Sequence, residues 1–260
     1  MQEPDVGTLK RAVRLRLRRA AVDLVARGRR ATWAVGSGEK TLDELALWHG
    51  ADKSSAGHDF AALYERYLVQ RRHAPLTLLE IGVWRGASLR TWRDYFPRGR
   101  IVGIDVQEHA LAQSGERIEV FVGDQQDPAF LASVLEHVGP LDVVVDDGGH
   151  LPELQFASLH CLWPSLKPGG LYIVEDTQTS YREDYGMGWR RAGSTIEVLK
   201  SLVDDVNARF HGEPTVLEGL DFLHFHAATC VIGKRSVVPR SSLLSRIDAA
   251  AARASGAWTG

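Results

Sequence analysis

Two short stretches hold residue types that can bind a cation and handle a proton. In "LDVVVDDGGH" the acids Asp146 and Asp147 follow Val143 to Val145, two glycines come next, and His150 closes the stretch. In "KPGGLYIVEDTQ" the apolar run Leu171 to Val174 ends on Glu175 and Asp176. Like charges sharing one site either raise a pKa or recruit a metal, and an all-oxygen donor set suits a hard ion such as Mg²⁺ better than zinc. Asp-Gly pairs also make ordinary turns, and paired aspartates also cap helices, so neither stretch defines a site alone.

The positioning elements can be read around them. Three consecutive valines indicate a strand buried on both faces, the pattern of a parallel sheet in an α/β domain, and open α/β sheets bind ligands at the carboxyl ends of their strands. If Leu171 to Val174 is a neighbouring parallel strand about 5 Å away, the terminal carboxylates converge. Upstream, "LTLLEIGVWRGASLRTW" predicts a strand over Leu76 to Ile81, a tight turn between Gly82 and Gly86, and a helix from Ala87 with Ser88 near its start. The E-x-G-x-x-x-G spacing is not the tighter G-x-G-x-x-G of dinucleotide binders, which argues against a nicotinamide or flavin. "RIVGID" ends on Asp105, placed to grip ribose hydroxyls, and "IEVFVGDQQD" ends on Asp124 and Gln125, suited to an adenine edge.

The 260 residues carry a net charge of −2 and 44% hydrophobic residues, which predicts one large domain with a substantial core and gives no charge-based case for nucleic acid. Cys161 and Cys230 lie in apolar surroundings, so a disulfide framework is not expected. With no apolar run long enough for a bilayer and no signal-peptide core, the chain reads as soluble and cytoplasmic, without a membrane partner. Residues 1–40 read as a basic helical extension and linker, with Val13, Leu17, Ala20 and Leu24 at helical spacing between arginines. Residues 41–260 form the main domain. It opens with a capping box, Thr41 and Glu44, and a stop at Gly50. "DKSSAGHDF" reads as a polar loop, and Phe60, Leu63, Tyr64, Tyr67 and Leu68 as a helical apolar stripe. A helix starting at Pro152, a lid-like loop over "TQTSYREDYGMGWRRAG", and a helix capped by Ser194 and Glu197 with Ile196, Leu199, Val203 and Val206 on one side follow. "GLDFLHFHAATCVIGKR" alternates as a hairpin, and the tail reads as a helix that frays.

Together "LLEIG", "GID", "GDQQD", "DDGGH" and "GGLYIVEDT" resemble a class I S-adenosylmethionine-dependent methyltransferase. More narrowly, "DKSSAGHDFAALYERYL", "RTWRDYFPRGRIVGIDV" and "DDGGH…VEDT", within residues 41 to 235, resemble the metal-dependent sugar O-methyltransferases of antibiotic biosynthesis. The resemblance implies a Rossmann-like seven-stranded sheet with an antiparallel last strand, a homo-oligomer, and a glycoside or nucleotide-sugar substrate methylated on a deoxysugar hydroxyl. It also implies that Glu80, Gly82, Gly86 and Ser88 line the methionine half of the cofactor, Asp105 holds the ribose, Asp124 and Gln125 flank the adenine, and Asp146 lies by the sulfonium. Asp147, Glu175 and Asp176 would bind Mg²⁺, and His150 would be the general base, or alternatively a metal ligand. A sugar hydroxyl needs such help because its pKa lies far above neutrality. Other readings are a phenolic acceptor, a non-catalytic binding module and a nucleotide-dependent oxidoreductase; Tyr181 and Tyr185 lack a lysine four residues later, which counts against the last.

Overall fold

The computed structural model describes residues 38–236; the expected basic helix and the helical tail lie outside them. Seven strands form one sheet: β1 (Leu76–Ile81), β2 (Gly99–Asp105), β3 (Ile118–Val122), β4 (Leu141–Asp146), β5 (Leu166–Val174), β6 (Leu220–His226) and β7 (Thr229–Lys234). Their order is β3-β2-β1-β4-β5-β7-β6. The first five are parallel, and β7 runs antiparallel between β5 and β6. Chain order reverses between β1 and β4, which opens a crevice at their carboxyl ends.

The triple valine explains how β4 is held. Val143 and Val145 enter a core layer with Leu42, Tyr64, Trp92 and Tyr95, whereas Val144 faces Leu131, Val134, Leu159 and Leu162 on the opposite face. Helices α1 (Leu42–His49), α2 (Ala61–Leu68) and α3 (Ala87–Tyr95) supply the first layer. Helices α4 (Pro128–Val138) and α5 (Pro152–Leu162), each opened by proline in its first turn, supply the second. Both faces of β4 are thus covered, as an inner parallel strand requires.

Two expectations near the edges change. Thr41 and Glu44 form the full capping box and Gly50 ends α1 in the left-handed region at φ 71°. The same pattern at Ser194 does not close: Ser194 makes no side-chain cap, its N–H donates to Arg191 O at 3.1 Å, and the Glu197 carboxylate accepts from Lys200 at 2.5 Å. Three short helices follow in place of one, α6 (Thr195–Ser201), α7 (Val203–Val206) and α8 (Ala208–His211), and Val203 turns half out to solvent. β5 begins five residues before the predicted run, with a register irregularity against β4 and Gly169 at φ 78°. Among the described residues no helix is long and apolar enough to cross a membrane, and Cys161 and Cys230 are free thiols.

Candidate active site

Register brings the acids together. Asp146 of β4 pairs with Val174 of β5, and the ladder continues one step further, Glu175 N donating to Asp146 O at 3.0 Å and Asp147 N to Ile81 O at 3.0 Å. Asp147 and Glu175 therefore leave adjacent strands at one level, above β1. Backbones pass so closely here that a Cβ on Gly82, at φ 92°, would collide with the carbonyl oxygen of Asp147.

One half of the site is an open triad. Donor atoms of Asp147, His150 and Asp176 all lie within 4.8 Å of one another. His150 Nε2 sits 3.2 Å from Asp176 Oδ2 and 4.0 Å from Asp147 Oδ1. Both His150 and Asp176 adopt left-handed backbones, φ 53° and 54°, a conformation costly for side-chain-bearing residues and common where function demands it. Thr179 Oγ1 donates to His150 O at 3.0 Å, and Gln178 Nε2 to Asp176 Oδ1 at 2.8 Å, so the loop after β5 holds both residues. His150 Nδ1 is buried without a hydrogen-bond partner. Two carboxylates and an imidazole at this spacing fit a divalent cation.

The other half is largely buried and carries an ammonium of its own. Lys53, 3% exposed, sends its ammonium to Asp147 Oδ2, to Glu175 at 2.9 Å and to Glu80 at 3.4 Å. Burial pushes this ammonium's pKa down, but the charges of Asp147, Glu175 and Glu80 outweigh it and hold the pKa well above its ordinary value. Burial raises the carboxyls of Glu80, Asp147 and Glu175, with Lys53 opposing each shift; in Glu175 the charge of Asp147 adds to the rise. The polar loop expected at "DKSSAGHDF" thus hides a central cation. Its only sequence signal is a lysine between two apolar helices.

The remaining predicted residues divide by setting. Glu80 is fully buried and accepts from Ser88 Oγ at 2.5 Å, which ties the end of β1 to the first turn of α3. Asp105 accepts from the N–H groups of Val83 and Trp84, both 2.9 Å, and of Gln107 at 2.8 Å, so its carboxylate braces the Gly82 to Gly86 turn. Asp124 is exposed on the rim. Gln125 is turned inward, its Oε1 accepting from Gly149 N at 2.9 Å and its amide donating to Asp146, Leu154 and Ser158. Asp146 has no exposed surface and accepts from Ser158 at 2.5 Å and Tyr172 at 2.8 Å. Burial raises its carboxyl pKa, and those hydrogen bonds oppose the rise. The structure brings Asp147, His150 and Asp176 together and sets Glu175 on the ammonium side.

The sheet order is that of the Rossmann-like methyltransferase fold, and residues 79–177 match the family described as "Methyltransferase domain". Among curated proteins the chain is similar to O-methyltransferases, several of them named for rhamnosyl or olivosyl compounds. The chain is 39% identical over 198 residues to an 8-demethyl-8-(2-methoxy-alpha-L-rhamnosyl)-tetracenomycin-C 3'-O-methyltransferase of Streptomyces olivaceus, a span of 72% of this chain and 49% of that one. It is 36% identical over 181 residues to a demethylmacrocin O-methyltransferase of Streptomyces fradiae, 65% of this chain and 45% of the relative. A crystal structure of MycE methyltransferase from the mycinamycin biosynthetic pathway, in complex with Mg, SAH and mycinamycin VI, matches with a TM-score of 0.72 at 31% identity, over 79% of this chain and 57% of MycE. The chain spans about half the length of the curated relatives it matches.

Proposed function

We propose that the chain transfers the methyl group of S-adenosylmethionine to a hydroxyl of a deoxysugar carried by a natural product, with Mg²⁺ held at the Asp147 and Asp176 carboxylates. The convergence of Asp147, His150 and Asp176 at the ends of β4 and β5, beside the glycine turn after β1, carries this reading. The relatives' names and the Mg and SAH in MycE agree with it.

In this reading the cofactor lies over the Gly82 to Gly86 turn, with Glu80 and Ser88 beneath its methionine half, Asp105 at the ribose and Asp124 at the rim beside the adenine. Gln125 and Asp146 support the loop from below. Mg²⁺, when bound, supplies the positive charge that lowers the pKa of a sugar hydroxyl and fixes a vicinal diol. Asp147 and Asp176 set the position of that diol, and Glu175 closes the pocket on the Lys53 side. His150 Nε2, 3.2 Å from Asp176, accepts the departing proton. Transfer from an activated sulfonium then needs chiefly in-line alignment and exclusion of water.

Methyl transfer to a panel of rhamnosylated and other deoxysugar-bearing polyketides, with and without EDTA, tests the proposal. Product that forms only with Mg²⁺ is expected. Undiminished turnover in chelator would remove the ion from the mechanism, and transfer to simple catechols in preference to every glycoside would move the acceptor to a phenol.

A further inference from the structure

One lysine answers three acids, two of them fully buried. The ammonium of Lys53 meets Glu80, Asp147 and Glu175, and all three carboxylates belong to strand ends while the lysine comes from the loop between α1 and α2. That loop is built to hold it. Lys53 O accepts from Ala61 N at 2.8 Å, His58 N donates to Asp52 O at 2.6 Å, and both the backbone and hydroxyl of Ser55 donate to Asp43, at 2.6 and 2.8 Å. These bonds fix the loop backbone from which the ammonium reaches the three acids.

The charges also sort themselves in space. Asp147 is shared: Oδ2 goes to the ammonium, and Oδ1 faces His150 and the Asp176 side. Clusters of facing carboxylates hold two divalent ions in many hydrolytic and phosphoryl-transfer sites. Here one of the two positive positions is filled by the protein. We propose that Lys53 is a positioning residue that stands in place of a second metal ion: it fixes the rotamer of Asp147, supplies the positive charge that Glu80 and Glu175 share, and limits the site to a single divalent cation. The proposal rests on the reading that Asp147 and Asp176 hold that cation.

Mn²⁺ binding to the purified chain without substrate, followed by calorimetry and by the loss of the free-ion magnetic resonance signal, provides the test. Wild type takes up one Mn²⁺ per chain. Lys53→Met, checked for folding by circular dichroism, exposes three uncompensated carboxylates and takes up a second Mn²⁺; Lys53→Arg, which keeps the charge, returns to one. A folded Lys53→Met that binds a single ion overturns the proposal, and so do two ions in wild type, a result that needs no variant. Failure of wild type to bind any Mn²⁺ strikes instead at the Asp147 and Asp176 reading, so the two failures are distinguishable. With saturating Mg²⁺, Lys53→Met is expected to lose about tenfold or more in kcat, with Lys53→Arg recovering part of it, as for groups that orient metal ligands.

Discussion

The two sides of Asp147 are built on opposite principles. On the Lys53 side, acids almost without solvent access are compensated by a fixed ammonium, and this half is complete when the chain folds. On the His150 side, Asp147, His150 and Asp176 keep side-chain exposures of 24%, 21% and 15%, which leaves room for a ligand, and two of the three have strained backbones. The contrast separates stability from chemistry. Buried charge is tolerable where the protein supplies its partner, and functional where it leaves a position for something else to fill.

Substitutions break this contrast in a definite order. Asp147→Ala acts on both sides at once, stranding the ammonium and removing a donor to the ion. Methyl transfer should fall by about 10³ or more, since charge stabilisation by a metal is worth several kcal/mol. His150→Ala touches only the open side: kcat should fall by about 10², the lower end for a lost general base, with Mn²⁺ affinity largely kept. A comparable collapse of Mn²⁺ affinity in His150→Ala would recast the imidazole as a ligand. Gln178→Leu removes the donor that fixes Asp176 Oδ1, and Mn²⁺ affinity should weaken by about tenfold, with unchanged affinity showing that the contact is incidental.

Smaller effects test the support beneath the site. Ser158→Ala withdraws a hydroxyl from the buried Asp146 carboxylate and should cost about 1–3 kcal/mol of stability in urea unfolding, with little change in Mn²⁺ binding. Cys230 is the mildest probe. Burial pushes its thiol up to about 12, so the folded chain keeps a proton that the unfolded chain releases sooner. Its contribution to stability is full below the unfolded thiol's pKa and is lost as pH rises through about 12. At pH 8 a thiol reagent should label the less buried Cys161 first, and fast labelling of Cys230 would contradict its burial.

Much of this was legible in the chain. Val143 to Val145 and Leu171 to Val174 announce two doubly buried strands, and parallel pairing alone aligns the acids behind them. The turn between Gly82 and Gly86 and the box at Thr41 and Glu44 are local, and local patterns survive folding. The box at Ser194 had the same letters, but its N–H went to Arg191 O and its glutamate to Lys200, competitions that spacing does not reveal. Gln125 could equally have faced a ligand or the interior, and Gly149 N together with Ser158 drew it inward. Lys53 was hidden for a deeper reason. It lies 94 residues from Asp147 and 122 from Glu175, in a stretch that composition marks as solvated, and only the packing of α1 and α2 against the sheet makes it central.

The claim beneath all of this is that Asp147 and Asp176 grip one ion between them. Titrating Mn²⁺ into wild type and into the Asp147→Asn, Asp176→Asn double variant measures it without any need for the acceptor. One bound ion in wild type and none in the double variant is the expected pair of results; equal binding in both would contradict the account.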